Sequence, residues 1–411
     1  MSRRKRWQNL RGTEGRVHEP RERLLAAAAS ASAWLLSPFL RPPSKEDPRD
    51  ILLLRLDRIG DVLMSLPAIH ALRNELPDAR IRLAVGEWSQ EIASEAPVDE
   101  VLVWSAPWVG RADEGAARIS SLLRDARALA RRPPDLAIDL QGDLRAMWLM
   151  AATGAASRIG YANTGSAALL TRTIPLTEDV NLVEQNYRAI EVALGRNVPR
   201  AMFRWIDETG RARGRDRLRA ALLLAGISPT GPIVGIHPGA GRRIKEWPIE
   251  RFAELGQRLM RHAAATLVLT GASGEAQKTQ AIRAGAPGAT LDLAGGQSLR
   301  ELAETMSALD AFVSCDTSAM HFACAIGVPS VAIFGPSDPG RYFSGGALGF
   351  GSKAPHVVLR PHLWCSPCNL IRRPPEECLE TPIPECLDRI TVEDAYQAVV
   401  RVLESATPIV R

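Results

Sequence analysis

Four loops bring together side chains able to do chemistry. The first, "RLDRIGDVLMSLPAIHAL" from Arg55 to Leu72, sets Asp57, Arg58, Gly60 and Asp61 between an apolar run and a helical pattern. A carboxylate beside a turn glycine at a helix start serves as an N-cap, accepting from free backbone N–H groups. The same place, at a strand end facing a cleft, suits a general base, and Asp61 answers both descriptions. In the second loop, "IHPGAGRRIKEWPIERFAEL", glycines let backbone approach a ligand while Arg242, Arg243 and Lys245 add positive charge before a helix. That combination suits a diphosphate, and it matches neither GxxxxGK[ST] nor GxGxxG. A solvated basic loop is the plainer reading.

In the third loop, "LTGASGEAQKTQAI", Glu275 stands at a helix start, placed either to cap the helix or to hold a ribose diol through two hydrogen bonds. The fourth, "FVSCDTSAMHFACAIGVPSVAIFGPSDP", ends an apolar strand in Asp316, Thr317 and Ser318 and starts a helix at once. Polar side chains and free N–H groups then converge where a phosphate or sugar hydroxyl would fit. His321, one turn in, either faces that point or packs as a satisfied core histidine.

The cysteines divide in two. Cys315 and Cys324 lie in apolar surroundings and read as buried free thiols. Cys365, Cys368, Cys378 and Cys386 form C-x2-C-x9-C-x7-C in "WCSPCNLIRRPPEECLETPIPEC". That set reads either as reduced structural thiols or as a structural zinc site that braces the segment without catalysing.

The elements that must position these loops alternate regularly. Apolar runs Ile51–Leu56, Ile81–Val85, Val101–Trp104 and Leu136–Leu140 read as strands, with helical patterns such as Ser65–Glu75 and Ala117–Arg131 between them. Runs apolar throughout suit strands covered on both faces of a parallel sheet. A charged stretch between about Phe203 and Pro229 reads as a linker plus a surface helix. The alternation then restarts with Ile233–His237, Thr266–Leu269, Leu291–Leu293, Ala311–Ser314 and Ser330–Phe334. Doubly wound α/β domains are expected at 48–205 and 230–390, with a linker at 206–229, a terminal helix and tail at 391–411, and a shared cleft at the strand ends. Thr391 is the expected cap of the last helix.

Composition limits the function classes. The 411 residues, 46% apolar and 24% charged, are ample for two globular cores. A net charge of +5 suits phosphate-bearing ligands or an anionic surface, and without an aromatic-and-basic signature nucleic acid is not expected. Residues 1–47 form a basic extension containing an apolar stretch, Leu24 to Leu40, at the short limit for a membrane span. It reads as an interfacial helix on a cytoplasmic membrane face, as a helix packed on its own domain, or as a cleaved leader. A nicotinamide oxidoreductase would need GxGxxG after its first strand, and the chain has none.

Five collinear blocks between Ile51 and Leu403 resemble glycosyltransferase family 9, the heptosyltransferases of lipopolysaccharide inner core. They are "RLDRIGDVLMSLPAIHALRNELPDARIRLAV", "DLAIDLQGDLRAMWLMAATGAASRIGY", "GIHPGAGRRIKEWPIERFAEL", "DLAGGQSLRELAETMSALDAFVSCDTSAMHFACAIGVPSVAIFG" and the cysteine-rich segment. The resemblance implies a GT-B fold: two Rossmann-like doubly wound parallel-sheet domains, an acceptor side followed by an ADP-sugar side. It implies inverting transfer without a catalytic metal, from ADP-heptose to a lipid-linked glycan at the inner membrane. Asp61 matches the family's proposed base, Lys245 the lysine before "WP" that contacts the diphosphate, and Glu275 the acidic ribose ligand. Asp316, Thr317, Ser318 and His321 match the "DTxxxH" segment around donor sugar and phosphates. "PGAG" replaces a hydroxyl-bearing loop, which leaves another nucleotide sugar, or noncatalytic binding of nucleotide sugar or glycan, as the alternative.

Overall fold

The computed structural model describes residues 20–40, 47–104, 119–162, 166–175, 180–200, 203–346, 354–368 and 384–405, with single positions 42, 106, 107, 177 and 378. Side chains are described from residue 27. Two compact units result, one within Thr13–Ala201 and one from Met202 onward.

The N-terminal unit opens with helix α1, Pro20–Leu36, followed by strand β1, Asp50–Arg55. Every residue of β1 after Asp50 is buried, as a strand covered on both faces requires. Helix α2, Ile59–Glu75, follows, then β2, Arg80–Val85, β3, Glu100–Val103, α3, Ile119–Leu129, β4, Leu136–Asp139, and α4, Leu144–Ala152. Strands β5, Ser157–Gly160, and β6, Arg172–Thr173, precede helix α5, Leu182–Leu194. The sheet runs β3-β2-β1-β4-β5-β6 with all its pairs parallel, so strand order reverses between β1 and β4.

The C-terminal unit begins with α6, Glu208–Leu224, capped by Asp207, whose carboxylate accepts from Gly210 N at 2.7 Å. Alternating elements follow: β7, Ile233–His237, α7, Ile249–Ala263, β8, Thr266–Leu269, α8, Ala276–Gly285, β9, Thr290–Asp292, and α9, Leu299–Met306. Then come β10, Ala311–Cys315, α10, Ser318–Ile326, β11, Ser330–Ile333, β12, His356–Leu359, and α11, Val392–Ser405. The order β12-β11-β10-β7-β8-β9, again parallel, repeats the first sheet's topology and puts its reversal between β7 and β10.

The stretch expected to be a linker with a surface helix packs one face inward. Gly210, Gly214, Leu218 and Leu222 are buried, while Leu223 and Leu224 stay exposed. A Cβ on Gly214 would lie 1.8 Å from the Glu304 carbonyl, so α6 and α9 touch backbone to backbone only with glycine there. Helix α11 lies over β10, β11, β12 and α7 of its own unit. Thr391 caps it reciprocally with Asp394: Asp394 N donates to Thr391 Oγ1 at 3.1 Å and Thr391 N to Asp394 Oδ2 at 2.9 Å.

Candidate active site

In the N-terminal unit the functional groups gather at the carboxyl ends of β1 and β4, beside the reversal in strand order where open α/β sheets bind ligands. The last residue of β1, Arg55, is 1% exposed. Its Nε lies 3.0 Å from Asp57 Oδ1, its Nη2 3.5 Å from Asp61 Oδ1, and its Nη1 donates to the Leu140 carbonyl just past β4. One guanidinium thus ties two strand ends and the start of α2 together. Burial opposes its charge, but Asp57 and Asp61 outweigh that and raise its pKa.

Asp61 is not the N-cap. Arg58 takes that position, and Asp61, in the first turn, reaches back to accept from Arg58 N at 3.3 Å. The helix starts two residues earlier than the carboxylate because Ile59 and Gly60 already adopt it. The Asp61 side chain remains 25% exposed while held by Arg55 and the helix start. Asp57 differs: burial pushes its carboxyl upward against the pull of Arg55, and it holds the turn rather than facing outward. The Asp57 carbonyl accepts from Trp88 Nε1 at 2.6 Å.

Asp139 was not singled out by sequence. Burial raises it to about 7, and its oxygens accept from the N–H groups of Gln141, Gly142 and Asp143 between 2.9 and 3.2 Å. It shapes the loop after β4, where Gly142 takes φ +79°. An acidic residue closing an apolar run in "DLAIDLQGD" is the signal that would have drawn attention to it.

In the C-terminal unit the corresponding ends are those of β7 and β10. Lys245, in a single 3-10 turn after the glycine loop, places Nζ 2.6 Å from Asp316 Oδ2. Ser337 Oγ donates to the same oxygen. Asp316 is buried, which disfavours its charge, yet Lys245 and Ser337 outweigh burial and hold it below the usual carboxylate range. Thr317 then takes the N-cap of α10 without a side-chain capping bond, and Ser318 opens the helix, both half-buried. Arg242 sits half-buried at the start of the Lys245 turn, its carbonyl accepting from Lys245 N at 3.0 Å. His321 is buried, with Nδ1 2.9 Å from Ser344 Oγ, a satisfied core histidine whose charge would still favour the Asp316 carboxylate.

Glu275 forms a second cluster of that unit. Its Oε2 accepts from Ala272 N at 2.9 Å and stands 3.7 Å from Nε2 of His237, the last residue of β7. Burial lowers the His237 pKa against the pull of Glu275, favouring neutral imidazole, and Nδ1 lies 3.1 Å from Thr270 Oγ1. A Cβ on Gly239 would come within 1.7 Å of Glu275 Oε1. The first glycine of "PGAG" is therefore what admits the carboxylate. Sequence reading missed His237, Thr270 and Ser337, because a hydroxyl or imidazole at a strand end carries no spacing signal.

Cys365, Cys368, Cys378 and Cys386 line one small cavity with Ile244, Pro336 and Glu385. Among the described residues, no group of three or more His, Cys, Asp or Glu side chains is arranged to hold a metal ion. Burial, with the other three sulfurs adding, pushes Cys386 up to about 12, so in this arrangement it is a thiol. Cys315 and Cys324 are buried thiols, each raised to about 12.

Two six-stranded parallel sheets of identical order, each with polar groups at its reversal point, are the two Rossmann-like halves of a GT-B fold. Solved structures agree: the family 9 glycosyl transferase of Veillonella parvula superposes with TM-score 0.67 at 22% identity, over 89% of this chain and 99% of that one. The E. coli heptosyltransferase WaaC with ADP gives 0.61 at 22%, over 86% and 99%. The profile of glycosyltransferase family 9 (heptosyltransferase) matches residues 122–377, more than half the chain. The chain belongs to this family. Among relatives, lipopolysaccharide heptosyltransferase 1 of Pseudomonas aeruginosa is 25% identical over 334 residues, 77% of this chain and 85% of its own length. Asp61 lies outside the stretch matched by the profile, and Lys245, Glu275 and Asp316 lie inside it.

Proposed function

We propose that this glycosyltransferase moves a heptose from ADP-heptose, with inversion, onto the core of a lipopolysaccharide or a related lipid-linked glycan. The observation that carries this reading is the Lys245–Asp316 pair at 2.6 Å beside the start of α10. A buried carboxylate fixes the ammonium, and helix N–H groups add positive potential at the same place, a combination suited to a departing diphosphate. The names of the relatives supply the sugar and the acceptor class.

The acceptor hydroxyl attacks the anomeric carbon while the carbon–oxygen bond to the diphosphate breaks. Asp61 takes the hydroxyl proton, and Lys245, Arg242, Thr317 and Ser318 stabilise the nucleotide that leaves. Attack from the face opposite the leaving group inverts the configuration. Glu275, admitted by Gly239, holds the ribose hydroxyls, and neutral His237 lies beside it. The positive charge at the leaving group comes from side chains and a helix end, so the reading assigns no step to a metal. A lipid-linked acceptor puts the reaction at the cytoplasmic face of the inner membrane.

Calorimetric titration with ADP-heptose and with ADP-, GDP- and UDP-hexoses tests the donor, and product analysis with a lipid A core acceptor tests the transfer. Tightest binding of ADP-heptose with turnover supports the reading. Preference for a GDP- or UDP-sugar overturns the donor, and binding without turnover in the presence of acceptor overturns the enzyme assignment.

A further inference from the structure

We infer that the end of helix α1 is a docking face for an anionic phospholipid bilayer. The helix is held to the N-terminal unit along one side only. Ala33 is fully buried in that unit's core, Leu40 packs against it, and Ser30 Oγ accepts from Ser166 N at 2.9 Å. The side turned away carries Trp34, 70% exposed, Leu35, 63%, Leu36, 45%, and, in the turn that follows, Phe39, 84%. Scattered exposed leucines are ordinary on a protein surface, but four large apolar side chains within six successive positions form a patch that needs an occupant.

Three properties select a bilayer as that occupant. The side chains include a tryptophan and a phenylalanine, which together with leucine are the residues an interfacial helix buries at the headgroup boundary. The sequence around them is basic: residues 1–41 hold nine Lys and Arg, four of them successive at Arg3, Arg4, Lys5 and Arg6, against three Glu. Such an excess is attracted to anionic headgroups, whereas a purely apolar partner groove would gain nothing from it. Finally, α1 has 17 residues, a length of roughly 25 Å against a hydrocarbon core of about 30 Å. Among the described residues no helix is long and apolar enough to cross a membrane, and the inference places this one along the surface. Docking there would keep the enzyme beside a lipid-embedded acceptor. The inference deepens the reading of a lipid-linked acceptor, yet it stands on the patch and can fail while the transfer reaction survives.

The test is flotation of the full chain with vesicles of equimolar phosphatidylglycerol and phosphatidylcholine, and with phosphatidylcholine alone. The parent protein should float with the first and not the second. Trp34→Asp combined with Phe39→Asp should lower the partition by roughly tenfold or more, as expected when two aromatic side chains lose burial. Leu224→Asp, at an equally exposed leucine of α6, should leave it unchanged. Circular dichroism must show the double variant folded, and its turnover on a delipidated core oligosaccharide should equal the parent's while turnover on vesicle-embedded acceptor falls. The inference is overturned if the parent does not float with anionic vesicles or if the folded double variant floats equally well. A parent dimer that becomes monomeric in the double variant overturns it as well, since a second copy would then cover the patch.

Discussion

Asp61→Asn separates the role this carboxylate has in the structure, accepting from the start of α2, from the role of base proposed for it. Asparagine keeps an oxygen for Arg58 N, now at 3.3 Å, so the start of α2 retains its acceptor. The contact with Arg55 at 3.5 Å weakens, but Arg55 keeps Asp57 at 3.0 Å and the Leu140 carbonyl. A partly exposed ion pair of this kind contributes about 1 kcal/mol or less, so the thermal midpoint should move by only a few degrees. The groups proposed to hold the donor belong to the other unit, and calorimetric affinity for the nucleotide sugar should be unchanged. Proton removal is a different matter: losing a positioned base costs about 10²–10⁴ in rate, or roughly 3–5 kcal/mol on the barrier. The assay is kcat with saturating donor and acceptor, read beside unfolding midpoint and donor Kd. A folded variant with parental donor affinity and a kcat within about threefold of the parent, far less than loss of a base should cost, would show that Asp61 is only a helix-start carboxylate.

Four further outcomes follow from the C-terminal unit. Gly239→Ala forces a carboxylate that would sit 1.7 Å from the new Cβ to swing away; the side chain is flexible, so the fold survives, but donor Kd should rise about 10- to 100-fold, the loss of one charged hydrogen bond. Asp316→Asn leaves Lys245 without its ionic partner, and calorimetry should show weaker donor binding together with a lower midpoint, because Asp316 is buried against Lys245 and Ser337. Trp247→Phe removes the indole bond to the Ile390 carbonyl at 3.0 Å and leaves that buried oxygen relying on Arg251, which should cost about 1–3 kcal/mol in urea unfolding. Glu304, held at about 2 by hydrogen bonds from Arg213 and then Arg217 and Arg300, is depressed from 4.5, so its stabilisation is present above pH 4.5 and is lost as pH falls toward 2. Glu304→Gln should therefore lower stability by about 1–2 kcal/mol at pH 7, discounted because Arg213 is half exposed, and the difference from the parent should vanish near pH 2.

The central strands were legible because each is a short apolar run buried on both faces, the strongest one-dimensional signal a parallel sheet produces. β5, β6 and β12 were not, since "SRIG" and "RT" mix charge with small residues and "HVVL" is only four residues long and half-buried throughout. Site legibility divides along the same line. Groups that share a loop with glycine and a helix start, such as Asp61, Lys245, Glu275 and Asp316, announce themselves by spacing. Groups that meet only because strand order reverses do not: Arg55 finds Leu140 85 positions away, and Asp316 finds Lys245 71 positions back. The Asp61 assignment rests on such a meeting. A lone aspartate in the first turn of a helix is sufficiently explained by the N–H group it accepts from. What argues for more is that Arg55, buried and anchored across the reversal, points a fixed positive charge at a carboxylate that is still a quarter exposed. A carboxylate needed only for capping would gain little from being held in one orientation by a buried guanidinium. One that must meet a hydroxyl in a single geometry gains from it directly, because misplacement by an ångström can cost about 100-fold in rate.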